Sequence, residues 1–295
     1  MNDQLLPLTE DDRGFFSFWN ETVYGMIWAA LLGRHGSTFD CLYQQTGARD
    51  AACYAAWCRA VPPSVSSLED YMVRFEKALR FCVNCDIPVM RLDSGIDMEP
   101  LSDEEYRIRF DCLIRNWRSA ARLAGKMGIT LVLESEPPMW INRPSEVLAA
   151  VQAVNEPNFR LLFDASHAYL QSVKGACQTG EKEILPGGIL EYIHMMGPYI
   201  GYVHMVDTDG NLSATDSAGT SVHLPLGEGI LDFDAIIETL WPYAGHLPFW
   251  SLDFYDCHDA ERTGIESLRF LREKVAKHEK IRTIRWQPGS VCTSL

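Results

Sequence analysis

The sequence predicts an α/β protein, a single (β/α)8 barrel domain over residues 1–295 with an atypical amino-terminal region at 1–66 and a carboxyl-terminal tail at 281–295. Three observations carry that expectation. From about residue 68 onwards, helical periods alternate with short apolar runs, the signature of βα units around a parallel sheet. The length of 295 residues suits one barrel, since such barrels reach about 250 residues or more as one domain. Four of the apolar runs end in a carboxylate or an imidazole, at the place where barrel strands meet the face that carries active sites.

Taken in order, the first 66 residues offer strands at Phe15–Trp19, Phe39–Gln44 and Ala60–Val65, with helices at Glu21–Leu32 and Arg49–Arg59 between them. Short aromatic and alanine-rich stretches of this kind fit either period, so they enter the count only because they complete eight strands. The pattern then sharpens. Leu68, Tyr71, Met72, Phe75, Leu79 and Cys82 form one helical stripe, and Ile87–Leu92 follows as a buried strand. Ser102 with Glu105 three residues later opens a helix as a capping box, and the run lasts to Lys126 before Gly128 ends it. Ile129–Glu134 is a strand, Pro144 and Ser145 start a helix to Val154, and Phe159–Asp164 is a strand. A helical piece at Leu190–Gly197, a strand at Ile200–Val206, a helix at Phe233–Trp241, a strand at Pro248–Phe254 and a charged helix at Glu261–Lys280 complete the chain.

Composition narrows the function classes. At 47% hydrophobic and 22% charged the chain has the makings of a substantial core, which excludes disorder and fibrous repeats. A net charge of −14, from 26 basic and 40 acidic residues, disfavours nucleic acid and anionic membranes as partners. Nine scattered cysteines read as reduced thiols of a cytoplasmic protein; the Cys82/Cys85 CxxC pair has no second pair at zinc-site distance and reads as a helix end. The amino terminus carries Asp3, Glu10, Asp11 and Asp12 where a signal peptide has basic residues, and the longest apolar run, Met26–Leu32, is too short to span a bilayer.

The four strand-end residues are Glu134, Asp164, His204 and Asp253. In a parallel barrel they converge on one point, and three carboxylates with one imidazole suit a divalent cation of hard or borderline character: Mn²⁺ first, with Mg²⁺, Co²⁺ and Zn²⁺ as alternatives.

The segments LVLESEPP (131–138), LLFDASHAYL (161–170), IGYVHMVDTDG (200–210), HLPLGEGILDFDAII (223–237) and FWSLDFY (249–255) resemble the xylose isomerase-like TIM barrels, the sugar phosphate isomerase/epimerase family, over about residues 87–255. The resemblance implies one divalent metal held by Glu134, Asp164, His204 and Asp253. The family usually has glutamate at the last position, so the shorter Asp253 reaches the metal directly or through a water. It also implies proton abstraction beside a carbonyl, with the metal stabilising an enediolate and Glu134 and Asp253 as the catalytic pair.

Around these, His167 stands where relatives carry a histidine that contacts substrate or a further metal; the plain alternative is a loop histidine bonded to a backbone carbonyl. Asp207 matches the family's H-x-x-D acid, either an acceptor that orients His204 or an anchor for its loop. His223 lies in a loop that folds over the pocket in similar sequences, where it would touch substrate, and Glu228 is expected to be structural. Glu136 and Trp140 follow Glu134 in a Pro-rich loop, with Trp140 either a wall against a sugar face or part of a surface turn.

The expected function is a metal-dependent isomerase or epimerase of a small carbohydrate. Free-ketose 3-epimerases resemble it less, since Trp140 and Gly210 stand where those sequences have a glutamate and an arginine. The same centre could serve a lyase or dehydratase acting on an oxidised sugar, a glycoside or an inosose. Apurinic-site endonucleases share the barrel and resemble it at Glu134, Asp164, His167 and His204, but they need further histidines where this chain has Arg91, Leu92 and Asp93. A non-catalytic sugar-binding barrel is the remaining alternative. The first 66 residues are left to shape the pocket or to pack against a second copy in a homo-oligomer.

Overall fold

A computed structural model of the chain describes residues 67–84, 87–95, 102–214, 219–247, 250–254 and 260–285. The three strands and two helices expected before residue 66, Cys85 and the tail beyond 285 lie outside them. Five strands form one parallel sheet in sequential order: β1 (Val89–Leu92), β2 (Thr130–Leu133), β3 (Phe159–Asp164), β4 (Ile200–Met205) and β5 (Ser251–Leu252). Neighbours in chain order pair side by side because a helix crosses back between each two, as parallel pairing requires. The result is a parallel half-barrel.

The helices follow local signals. Helix α1 (Leu68–Asn84) buries Tyr71, Phe75, Leu79 and Cys82 of the predicted stripe, with Met72 half-buried and Leu68, in its first turn, exposed. Helix α2 (Asp103–Lys126) starts at Ser102, whose hydroxyl accepts from the Glu105 amide while the Glu105 carboxylate accepts from the Ser102 amide at 3.0 Å. Its buried face centres on Trp117, whose ring lies 5.5 Å from that of Phe159 on β3. Helix α3 (Pro144–Val154) has Pro144 in its first turn and ends at Asn155 in the left-handed conformation.

After β3 the chain turns at once into α4 (Ala165–Tyr169) and one π-helical turn at Leu170–Lys174, which sequence periodicity did not predict. The start of α4 is set by a cap: the Asp164 side chain accepts from the His167 amide at 2.8 Å. Helices α5 (Gly188–Met196) and α6 (Phe233–Ala244) match expectation within a few residues. The β5 pairing covers two residues of the longer expected strand, and α7 (Ala260–Arg285) continues into what reads from sequence as the start of the tail. No helix among the described residues is long and apolar enough to cross a membrane.

Two cores result. The large one lies between sheet and helices, and includes Leu131, Leu133, Leu161, Phe163 and Val203. The small one is Val132, Leu162 and Tyr202 with Val89 packed against it, residues of the opposite face of the same strands. Side chains alternate along a strand, so these four mark the concave face of the half-barrel.

Candidate metal centre

Period two places the site. Two residues beyond Val89, Val132, Leu162 and Tyr202 come Arg91, Glu134, Asp164 and His204, and two beyond Ser251, whose hydroxyl lies 2.5 Å from that of Tyr202, comes Asp253. All five therefore leave their strands on the concave face, one layer above the small core. A carboxylate oxygen or ring nitrogen from each of Glu134, Asp164, His204 and Asp253 lies within 4.8 Å of the others. Nδ1 of His204 is 3.1 Å from Glu134 Oε1, 3.6 Å from Asp164 Oδ2 and 3.2 Å from Asp253 Oδ2.

The four side chains are buried, at 1–5% exposure. Both Glu134 oxygens, Asp164 Oδ2 and Asp253 Oδ1 are buried oxygens that accept no hydrogen bond among the described residues. A buried anion without donors costs several kcal/mol, so nearly every such group is paired or bound to a metal. The donor set fits a divalent cation. Burial pushes Glu134 well above the ordinary carboxylate range despite Arg91 beside it, and Asp164 rises through burial and the nearby Asp253. Asp253 goes the other way: burial opposes ionisation, but His204 beside it holds the carboxyl far below its usual range.

A second group adjoins the first. Asp164, His167 and His223 offer ligand atoms within 4.8 Å of one another. The two imidazoles share a hydroxyl, since Ser221 Oγ is 2.8 Å from His167 Nδ1 and 3.1 Å from His223 Nε2. His167 Nε2 is 3.9 Å from Glu134 Oε1. Burial lowers His167 to about 3 and lowers His223 as well, so both rings are neutral.

Asp207 stands apart from these groups. Its carboxylate accepts from the amides of Thr208, Gly227, Gly229 and Leu231, at 2.9 to 3.2 Å, which makes it the anchor of the loop that returns to α6. The Trp140 indole packs against the large core, 5.2 Å from the ring of Tyr106 on α2. Sequence reasoning gave no part in the site to Arg91, Thr220 or Ser221 and foresaw none of the Glu136 contacts. Arg91 pairs with both Glu134 and Glu136, Glu136 accepts from Thr220, and Ser221 joins the histidines. Arg91 had a signal, the two-residue step from an inward valine; Ser221 had none, being 54 residues from His167.

Residues 51–274 match the family described as the xylose isomerase-like TIM barrel. The chain belongs to that family. The match is wider than the motif segments, beginning well before the first described strand. No curated protein matches the chain in sequence. Among solved structures, a D-tagatose 3-epimerase-like protein has a TM-score of 0.61 at 18% identity, covering 82% of this chain and 84% of its own. The 3-keto-D-glucoside 4-epimerase YcjR from E. coli has a TM-score of 0.57 at 13% identity, covering 79% and 82%. IolI with a bound zinc atom has a TM-score of 0.53 at 17% identity, covering 70% and 69%. At these identities the three show that this xylose isomerase-like chain shares their fold.

Proposed function

We propose that the chain is a divalent-metal-dependent sugar isomerase or epimerase that moves a proton next to a carbonyl, built on a closed (β/α)8 barrel. The observation that carries this reading is the strand-end layer itself: three buried carboxylates and an imidazole from four successive strands, with carboxylate oxygens left without donors. Glu134, Asp164, His204 and Asp253 would hold the cation. When bound, it supplies Lewis-acid polarisation of a substrate carbonyl and its neighbouring hydroxyl.

The chain's own residues do the rest. Glu134 and Asp253 leave β2 and β5, separated in the described sheet by β3 and β4, and each brings an oxygen to about the same distance from His204. One takes the proton beside the carbonyl and the other returns it. His167, neutral and close to Glu134, is placed to bind a substrate hydroxyl, and His223 supports it through Ser221. The epimerase names of two similar folds and the zinc of a third support a carbohydrate substrate and a metal, and Mn²⁺ is the first choice on donor hardness.

The test is solvent exchange. Incubated with Mn²⁺ in D₂O and a panel of ketoses and keto-glycosides, the wild type is expected to place deuterium at one carbon of at least one sugar, and Glu134→Gln is not. Release of water or an aglycone without exchange into recovered substrate would make the chain a lyase. Bound metal with neither outcome would overturn the enzymatic reading.

A further inference from the structure

Among the described residues, Arg91 is the cation paired with this layer. It is 8% exposed, at the end of β1, and its Nε forms an ion pair with Glu134 Oε2 at 2.5 Å, without hydrogen-bond alignment, while Nη2 donates to Glu136 Oε1. The other Glu136 oxygen accepts from Thr220 Oγ1 at 2.8 Å. Thr220 directly precedes Ser221, the residue between the two histidines. A guanidinium taken out of water needs anionic partners on its fork, and this one has two. An unengaged arginine here would read as a subsite for phosphate or carboxylate; with Nε and Nη2 both taken, it reads as a support.

The geometry divides the oxygens of Glu134. Oε2 faces Arg91, and Oε1 faces His204 and the cluster. A glutamate on three side-chain torsions could otherwise offer either oxygen, both, or swing out, at an entropic cost on each binding event. Building on the metal-centre reading above, we propose that Arg91 is a positioning residue: it holds Oε2 so that Glu134 presents Oε1 alone to the cation, and through Glu136 and Thr220 it ties that ligand to the loop bearing Ser221 and His223. Partners that orient a metal ligand from behind are typically worth about ten- to a hundredfold in metal affinity.

The experiment measures Mn²⁺ affinity by titration calorimetry and the visible spectrum of the Co²⁺-loaded protein, with near-ultraviolet circular dichroism to confirm folding. Arg91→Gln is expected to weaken Mn²⁺ roughly ten- to a hundredfold and to change the Co²⁺ bands, which report ligand geometry. Arg91→Lys keeps the charge but cannot span two carboxylates, so it should restore folding and not affinity. Glu136→Gln, which can no longer accept from both Arg91 and Thr220 and leaves the Arg91–Glu134 pair, should weaken binding by a smaller factor.

Wild-type affinity and an unchanged Co²⁺ spectrum in folded Arg91→Gln would overturn the proposal. If that variant does not fold, the same result in Arg91→Lys overturns it, and if neither folds, unchanged affinity in Glu136→Gln does. A wild type that binds no divalent cation would overturn both this inference and the metal-centre reading. A wild type that binds one, with variants that match it, removes only this inference.

Discussion

Asp164 and His204 are direct partners in the parallel register of β3 and β4. Their side chains therefore leave adjacent strands at one level and on one face, and the Asp164 Oδ2 to His204 Nδ1 distance of 3.6 Å follows from the sheet itself. Asp164 does a second job, since its Oδ1 caps α4. Asparagine keeps that cap acceptor and removes the charge. Asp164→Asn is expected to lose stoichiometric Mn²⁺ binding while its metal-free form melts no lower than the metal-free wild type, because the cost of burying an ionisable carboxyl beside Asp253 is gone. Differential scanning calorimetry with chelator and metal analysis checks both parts; a drop of several degrees would show that the anion itself stabilises the metal-free chain.

Metal affinity should depend on pH with a definite sign. Glu134 and Asp164 both sit above the ordinary carboxylate range in the metal-free chain, chiefly through burial. A ligand must be ionised to bind, so the cation displaces protons, and affinity falls as pH falls through those raised values. His167, held near 3, is neutral throughout and adds no proton to the exchange. Calorimetry in two buffers of different ionisation heat is expected to show net proton release and weaker binding at about pH 6 than at about pH 8. Equal affinity at both, with no proton release, would mean that both carboxylates are already ionised in the metal-free protein.

The Asp207 anchor makes a stability prediction. Four amides end on one carboxylate, and Gly229 is wedged so closely that a Cβ there would lie 2.2 Å from Asp207 Oδ1 and 2.3 Å from the Thr208 carbonyl oxygen. Hydrogen bonds to a charged group contribute about 1.5–3 kcal/mol each, and part of the loss is recovered by water at this half-buried loop. Asp207→Ala should cost about 2–4 kcal/mol, which for a chain of this size lowers Tm by roughly 5–15 °C. Gly229→Ala should cost a similar amount, and the double variant less than both together, since each breaks the same anchor. Hydrogen exchange at residues 227–231 should rise in all three.

What was legible in the sequence was what short spacing encodes. The α2 start rests on Ser102 and Glu105, three residues apart, and Ser102→Ala should cost about 1 kcal/mol by chemical denaturation because it removes that cap. The strand-end cluster was visible because each of its four residues ends an apolar run, and the same two-residue step from an inward valine leads to Arg91 on β1. Contacts between distant segments were not visible. The choice left open for Asp207 depended on amides 20 to 24 residues further on. The contact of the Trp140 ring with Tyr106 joins a loop to the preceding helix. A loop residue's direction is set by what packs beneath it, and composition does not encode that.

Ser221 offers the most specific test around the site. A hydroxyl has one proton, so between two neutral imidazoles it donates to one and accepts from the other, and the tautomers of His167 and His223 become linked. If His223 Nε2–H donates to Ser221 and Ser221 donates to His167 Nδ1, then His167 carries its proton on Nε2, the nitrogen facing Glu134 and the cluster. That arrangement prepares His167 to donate to a substrate oxygen. Ser221→Ala removes the link and leaves His167 to sample both tautomers. Nitrogen-15 chemical shifts of the metal-free protein should show one His167 tautomer in the wild type, a mixture in Ser221→Ala, and one again in Ser221→Thr. With a turned-over sugar in hand, KM should rise in Ser221→Ala by more than kcat falls, because a hydroxyl contact made in both ground and transition state is weakened. A single unchanged tautomer in Ser221→Ala would mean that another neighbour, not this hydroxyl, sets the ring.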